Sequence, residues 1–280
     1  MKLPTGFCPD LISYTALIDM NRRVRLDTLL VERELVQTRA RAQALVLAGQ
    51  VQVEGTVTTK AGTSVSDSAK ITLLKPDHPY VSRGGIKLEH ALKKFQITVT
   101  DRSALDVGAS TGGFTEVLLI NGARHVVALD VGHGQLAWKI RTNSRVSVIE
   151  GLNARSLEPQ MLPEGFQKVD VVTIDVSFIS LKLILGQVLK LLTPTGDVIA
   201  LVKPQFEAER EEVQKRGLIT DSNVHTRVIE EITAAAGKIG LQRIAMTESP
   251  IKGSAGNKEF FLHLRKIFDE ADYSRKRTHD

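Results

Sequence analysis

Ser103-Ala-Leu-Asp-Val-Gly-Ala-Ser-Thr-Gly-Gly-Phe-Thr115 decides how this chain folds. Residues 103 to 107 form a short apolar run of buried-strand length, and Val117, Leu118 and Leu119 build a helix just beyond. Between them, Gly108, Gly112 and Gly113 let the backbone turn sharply and come close to a ligand, while the helix start adds free N–H groups. Asp106 falls near the strand's end, at the carboxyl edge where open α/β sheets bind their ligands. Further on, His125–Asp130 reads as a second strand ending in an acid. A carboxylate there can accept hydrogen bonds from both ribose hydroxyls of a nucleoside cofactor.

The loop runs Gly-x-x-x-Gly-Gly where dinucleotide binders have Gly-x-Gly-x-x-Gly, and an acid precedes it. S-adenosylmethionine carries an ammonium and a sulfonium where NAD carries a pyrophosphate. A carboxylate beside the loop suits the first and repels the second. The pattern therefore favours S-adenosylmethionine, with an NAD dehydrogenase as a distant alternative. Beyond the loop, Val146–Ile149, Asp170–Asp175, Gly196–Lys203, Leu241–Ala245 and Glu259–Leu264 read as strands, with helices over Leu181–Leu192 and Val224–Gly237. Repeated βα units predict an α/β fold with a mostly parallel sheet covered on both faces. Only a Pro- and Gly-containing loop separates the last two strands, which predicts an antiparallel hairpin at the end.

Upstream, Lys75-Pro-Asp-His-Pro-Tyr80 is turn-rich and suits a domain boundary. Ser82-Arg-Gly-Gly-Ile-Lys-Leu-Glu89 follows and opens an amphipathic helix through Leu88, Ala91, Leu92 and Phe95. From Arg23 to Val81 the chain reads as a small α-then-β unit. Leu26, Leu29, Leu30 and Val31 stripe one helix; Thr38 caps a second and Gly49 ends it; Val51–Val57 and Ala69–Leu73 alternate like strands. Arg22, Arg23, Arg25, Arg33, Arg39 and Arg41 concentrate on the helical half, where they either solvate it or bind phosphates of a structured RNA.

The 280 residues carry 37 basic against 32 acidic side chains, a mild net charge of +5 that permits an anionic partner without requiring one. No apolar run approaches the roughly 20 residues of a membrane-crossing helix. The single cysteine, Cys8, fits a reducing cytoplasm and excludes a cysteine-ligated zinc site; no metal is expected. Residues 1–20 lack a secretory pattern and are expected to be a disordered extension, or to precede a true start at Met20.

The motifs RLDTLLVEREL and TRARAQALVLAGQVQVEGT resemble the small RNA-binding domain named for ribosomal protein S four, which makes Arg23, Arg25, Arg39, Arg41 and Gln43 candidate RNA contacts. SRGGIKLEHAL, LDVGASTGGFTE, ALDVGHGQLAWKIR, IDVSFISL, VKPQFEAERE and SPIKGSAGNKEFFLHL resemble the TlyA family of haemolysin-named ribosomal RNA 2′-O-methyltransferases, relatives of the FtsJ-type ribose methyltransferases. The likeness spans roughly residues 23 to 268 and implies a Rossmann-like, seven-stranded methyltransferase sheet behind a small α+β RNA-binding domain. On that resemblance residues 21–81 bind RNA, 82–268 form the methyltransferase domain and 269–280 are a tail. It implies that Lys87, Asp175, Lys203 and Glu259 are the catalytic tetrad. It also implies that Asp106, Gly108, Ser110, Gly112, Asp130 and Asn153 contact S-adenosylmethionine. Glu209 stands where the family's loop has glycine.

Methyl transfer to a 2′-hydroxyl is an in-line displacement that needs a partly deprotonated oxygen. Lys203 is the candidate for accepting or steering that proton, with Lys87 holding the neighbouring phosphate or the developing alkoxide, and Asp175 and Glu259 orienting the two ammonium groups. Asn153 meets the adenine edge or simply makes a turn; Trp138 is expected to pack the helix after the second strand. The expected substrate is ribosomal RNA, at a cytidine by resemblance, free or within a ribosomal subunit, acted on by a cytoplasmic monomer. A membrane-active haemolysin, which dye release from liposomes would reveal, and an inactive RNA-binding relative are the alternatives.

Overall fold

The computed structural model describes residues 22–36, 38–74, 78–214, 217–253 and 255–267; the expectations for residues 1–20 and for the tail lie outside them. The chain divides into two compact units between Asp77 and His78. In the first, β1 (Arg23–Arg25) runs straight into α1 (Leu26–Glu32), and α2 (Arg39–Leu47) packs on α1. Then come β2 (Val51–Val53), β3 (Thr56–Val57), β4 (Ser64–Ser66) and β5 (Ile71–Leu73). β1 pairs with β4, and β2 holds β3 and β5 on its two sides, all antiparallel. Thr38 caps α2 by accepting the Arg41 N–H at 3.2 Å. The α-then-β reading missed β1, because three residues are too few to show a period.

The second unit opens with α3 (Gly84–Phe95), followed by β6 (Ser103–Val107), α4 (Gly113–Ile120), β7 (His125–Asp130), α5 (Trp138–Arg141) and β8 (Val146–Glu150). It continues through β9 (Val169–Ile174), α6 (Leu185–Leu191), β10 (Leu192–Val202), α7 (Ser222–Lys238), β11 (Leu241–Glu248) and β12 (Phe260–Lys266). One seven-stranded sheet joins them in the order β11-β12-β10-β9-β6-β7-β8. β12 is antiparallel to both neighbours and the remaining pairs are parallel, so the expected hairpin is β11 with β12.

Helices cover both faces, and every residue of β6 is buried in consequence. Leu88, Leu92, Val117 and Leu118 of α3 and α4 pack on one face with Ala104, Val126, Leu201 and Phe261. Leu185, Val188, Val228 and Ile232 of α6 and α7 pack on the other with Leu105, Val127, Val172 and Leu262. Each buried aliphatic side chain contributes roughly 1.5–3 kcal/mol. The starts of α3 and α4 touch: a Cβ on Gly113 would meet Ser82 Oγ at 2.2 Å and the Gly85 nitrogen at 3.0 Å. That contact sets the first turns of α3 beside the loop between β6 and α4. Among the described residues no helix is long and apolar enough to cross a membrane, and no cluster of metal-ligating side chains occurs.

Candidate active site

Sheet order brings the charged strand ends together. Asp175 directly follows β9, Lys203 directly follows β10, and Glu259 directly precedes β12, three strands that lie side by side. Val202 pairs with Phe260, so one step further along the same ladder Lys203 faces Glu259. The pleat places both on the α3 side, with Leu201 and Phe261. Lys203 Nζ lies 2.6 Å from Asp175 Oδ1 and donates to Ser177 Oγ at 3.0 Å. From α3, Lys87 donates to Glu259 Oε2 at 2.5 Å, both side chains nearly buried. Two ion pairs, drawn from four distant parts of the sequence, therefore sit along one edge. Ion pairs so well shielded keep both partners oriented, since losing either would leave a desolvated charge behind.

Beside this edge opens a cavity of about 630 Å³, within the usual range for a cofactor pocket. Gly108, Ser110, Asp130, Asn153 and Asp175 line it, with Leu129, Val131, Leu152 and Ile179 as apolar wall. Asp130 accepts the Ser110 N–H at 2.8 Å and the Gly132 N–H at 2.7 Å. Asn153 caps the turn Ala154–Ser156 by accepting the Arg155 N–H at 3.0 Å, and also faces the cavity. Gly108 takes φ +86, and a Cβ there would stand 2.3 Å from the Asp175 carbonyl oxygen. Four of the glycine loop's N–H groups are committed within the protein. Those of Gly108 and Ala109 donate to the Leu129 carbonyl, that of Ser110 to Asp130, and that of Gly112 to the Ala109 carbonyl. A pyrophosphate would find those four donors already taken. A nucleoside with cationic substituents fits better, because Asp130 and Asp175 place two carboxylates on the wall.

Two expected cofactor contacts lie elsewhere. Gly112 is not on the cavity wall, and a Cβ there would run into Leu136 and Ile140. Asp106 is fully buried behind the loop, accepting from Thr115 Oγ1 at 2.6 Å and Thr173 Oγ1 at 2.9 Å. It ties α4 to β6 and β9 where the sequence suggested a ligand. Burial pushes its pKa up to about 6, against the pull of both threonines. A folded value above the unfolded 3.8 means stability falls as pH rises from about 4 to 6 and stays lower at neutral pH. Asp106→Asn removes the charge and keeps the shape, so at pH 8 it should gain about 1–3 kcal/mol over the wild type. At pH 4 it should gain little. Thermal melts at both pH values test this; equal destabilisation at both would refute it.

Comparisons with known proteins agree with this fold. Residues 80–266 match the model of the FtsJ-like methyltransferase family, and residues 24–71 match the S4 domain. The chain belongs to the FtsJ-like methyltransferase family. The 16S/23S rRNA (cytidine-2′-O)-methyltransferase TlyA of Mycobacterium tuberculosis is 43% identical over 253 residues, 90% of this chain and 93% of that one. Hemolysin A of Brachyspira hyodysenteriae is 39% identical over 241 residues, 86% of this chain and 99% of that one. A solved structure of a hemolysin-named protein from Streptococcus thermophilus superimposes with TM-score 0.69 at 44% identity, over 89% of this chain and 90% of that one.

The methyltransferase unit carries features its sequence did not disclose. Phe178, in the segment after Asp175, is 90% exposed and adopts φ +64, a left-handed backbone that a bulky residue rarely takes. Its ring lies 4.8 Å from that of Phe206, and both line the cavity. Trp138 is 74% exposed, which overturns the expectation that it packs: Leu136 and Ile140 fill the space beneath α5 instead. Glu209 needs no glycine-like backbone. At φ −67 it forms a reciprocal cap with Glu212, its N–H meeting that carboxylate at 3.0 Å.

In the S4 domain Arg23, Arg25, Arg39 and Arg41 are exposed, and buried Asp27 organises two of them. Arg25 reaches Asp27 through Nε at 3.0 Å and Nη2 at 2.9 Å, and Arg39 through Nε at 3.0 Å. Gln43, expected to face RNA, turns inward and donates to Asp27 at 2.9 Å. The Arg25 hydrogen bonds, opposed by burial and helped by Gln43 and Arg39, hold Asp27 well below the usual carboxylate range. Arg23 is fastened to Ser64. Arg25 and Arg39 thus present their outer edges from fixed positions.

Proposed function

We propose that this chain transfers a methyl group from S-adenosylmethionine to a ribose 2′-hydroxyl of ribosomal RNA, at a cytidine. The observation that carries the reading is the pair of ion pairs, Lys203–Asp175 and Lys87–Glu259, on the sheet edge beside the cavity. The naming of a 43%-identical relative as a cytidine-2′-O-methyltransferase of rRNA supports it. Asp130, Asn153 and Ser110 would hold the nucleoside part of the donor, and Asp175 would face its cationic end. When bound, the donor supplies a methyl already activated by positive sulfur, so the protein's task is orientation and proton handling.

Lys203, fixed by Asp175 and Ser177, meets the 2′-hydroxyl and steers its proton away as the oxygen attacks. Lys87, fixed by Glu259, stabilises the charge that develops on that oxygen or on the adjacent phosphate. The exposed face of Phe178 receives the target base, which must leave its stack for the ribose to reach the sheet edge. The S4 domain's Arg23, Arg25, Arg39 and Arg41 bind backbone phosphates.

The deciding experiment incubates the protein with methyl-labelled S-adenosylmethionine and ribosomal subunits lacking the modification, then maps the label. A single 2′-O-methylated cytidine is expected, marked by resistance of the adjoining bond to alkali. No transfer to any rRNA would overturn the reading. Phe178→Ala should weaken RNA use, seen as a KM increase of roughly 5- to 150-fold, the range of one base–aromatic stack. An unchanged KM would remove Phe178 from the base-binding surface.

A further inference from the structure

We infer that Glu207 is a positioning residue, a clasp that locks the 175–181 wall of the cavity onto the 203–207 turn and so fixes where Lys203 and Phe178 meet the acceptor. The inference rests on the methyl-transfer reading above. The two segments meet at three levels. Lys203 holds Asp175 and Ser177 at one end, the rings of Phe178 and Phe206 meet in the middle, and Glu207 closes the other end. There Ser180 Oγ donates to Glu207 Oε2 at 2.6 Å, and the Leu181 N–H donates to Oε1 at 2.7 Å.

Each contact alone is ordinary; their order along both segments is not. Phe178 sits between two anchored ends, Asp175–Ser177 and Ser180–Leu181. A bulky residue with positive φ persists only where its surroundings over-determine it, and here the flanking anchors do so. Glu207 follows directly on the turn Pro204–Phe206, so its backbone is carried by the segment that begins with Lys203. Burial raises the pKa of its carboxyl, and the two donors offset that cost. Ser180 caps the turn Leu181–Leu183 as well, so the clasp also decides where that turn starts. Without Glu207 the wall loses its hydrogen-bonded anchor at the Ser180 end, and with only the Lys203 and Phe206 contacts beside it Phe178 is freer to relax to a negative φ.

Glu207→Ala and Glu207→Gln distinguish a clasp from general support. The glutamine amide can accept from the Leu181 N–H and donate to the Ser180 hydroxyl, so it rebuilds both contacts without the charge. In the alanine variant, hydrogen exchange over residues 176–183 should quicken by about tenfold or more, the weight of two hydrogen bonds, while β7 and β8 exchange as in the wild type. Methylation kcat/KM should fall by about 10- to 100-fold, and the glutamine variant should recover both readouts to within about threefold. The clasp is refuted if residues 176–183 exchange at the wild-type rate in Glu207→Ala, or if Glu207→Gln is as impaired as alanine. It is also refuted if the lost activity only tracks the unfolded fraction. Should the wild type transfer no methyl at all, the functional reading fails, while the exchange data still judge the clasp.

Discussion

Lys203→Ala should lower kcat for RNA methylation by about 10²- to 10⁴-fold, the range for removing a positioned proton-handling group. Affinity for S-adenosylhomocysteine, measured by calorimetry, should stay within about threefold of the wild type. The separation follows from position. Lys203 lies next to Asp175 and Ser177 and is not on the cavity wall, whereas Asp130, Asn153 and Ser110 are. Asp175→Ala should cost a similar factor in kcat, because it leaves the Lys203 ammonium without the partner that aims it. The double variant should cost little more than either single one, since residues acting as a unit are non-additive. Undiminished methylation by Lys203→Ala with intact cofactor binding would remove this lysine from the chemistry. Additive losses in the double variant would mean that the two side chains act separately.

What the sequence disclosed depended on the kind of signal each feature leaves. β6, β7, β9 and β10 were legible because strands covered on both faces write near-continuous apolar runs, and the glycine loop marks where the first of them turns into a helix. Three of the four charges, Asp175, Lys203 and Glu259, were legible as strand-end residues, but their meeting was not. Lys203 faces Glu259 only because β12 inserts next to β10, a topological fact that no local pattern contains, and the family resemblance alone joined them to Lys87. Asp106 shows the opposite failure. Its place in the strand is right for a ligand contact, yet Thr115 and Thr173, one on the following helix and one on a neighbouring strand, occupy both its oxygens. The inward turn of Gln43 likewise depends on Asp27 lying under α2, which requires the packing of α1 on α2. Phe178 left no trace because its exposure comes from a backbone conformation, and an apolar letter after a strand ordinarily means burial.

The second large effect concerns stability at the sheet's opposite edge. Asp197 of β10 is 2% exposed and gathers three donors: His263 Nε2 at 2.7 Å, Arg265 Nε at 2.6 Å and Arg102 Nη1 at 2.7 Å. Arg102 also reaches the Asp170 carbonyl, and the His263 ring stacks on Phe95 at 5.5 Å, so one carboxylate ties β6, β9, β10, β12 and α3 together. Burial alone would raise its pKa; hydrogen bonds from His263, Arg265 and Arg102 outweigh that and hold it well below the usual carboxylate range. Asp197→Ala strands two guanidinium groups and a buried imidazole, which should cost about 3–5 kcal/mol and lower Tm by roughly 10 °C. A depressed folded pKa means this contribution is fully present above the unfolded value near 4 and is lost only as pH falls below it. The gap between variant and wild type should therefore hold from pH 5 to 8 and narrow in stronger acid. Per folded molecule, methylation should change by less than about twofold, because six residue steps along β10, roughly 20 Å, separate Asp197 from Lys203. A melting curve within about 1 kcal/mol of the wild type at pH 7 would show that the cluster is replaceable by packing alone, as some buried ion pairs are.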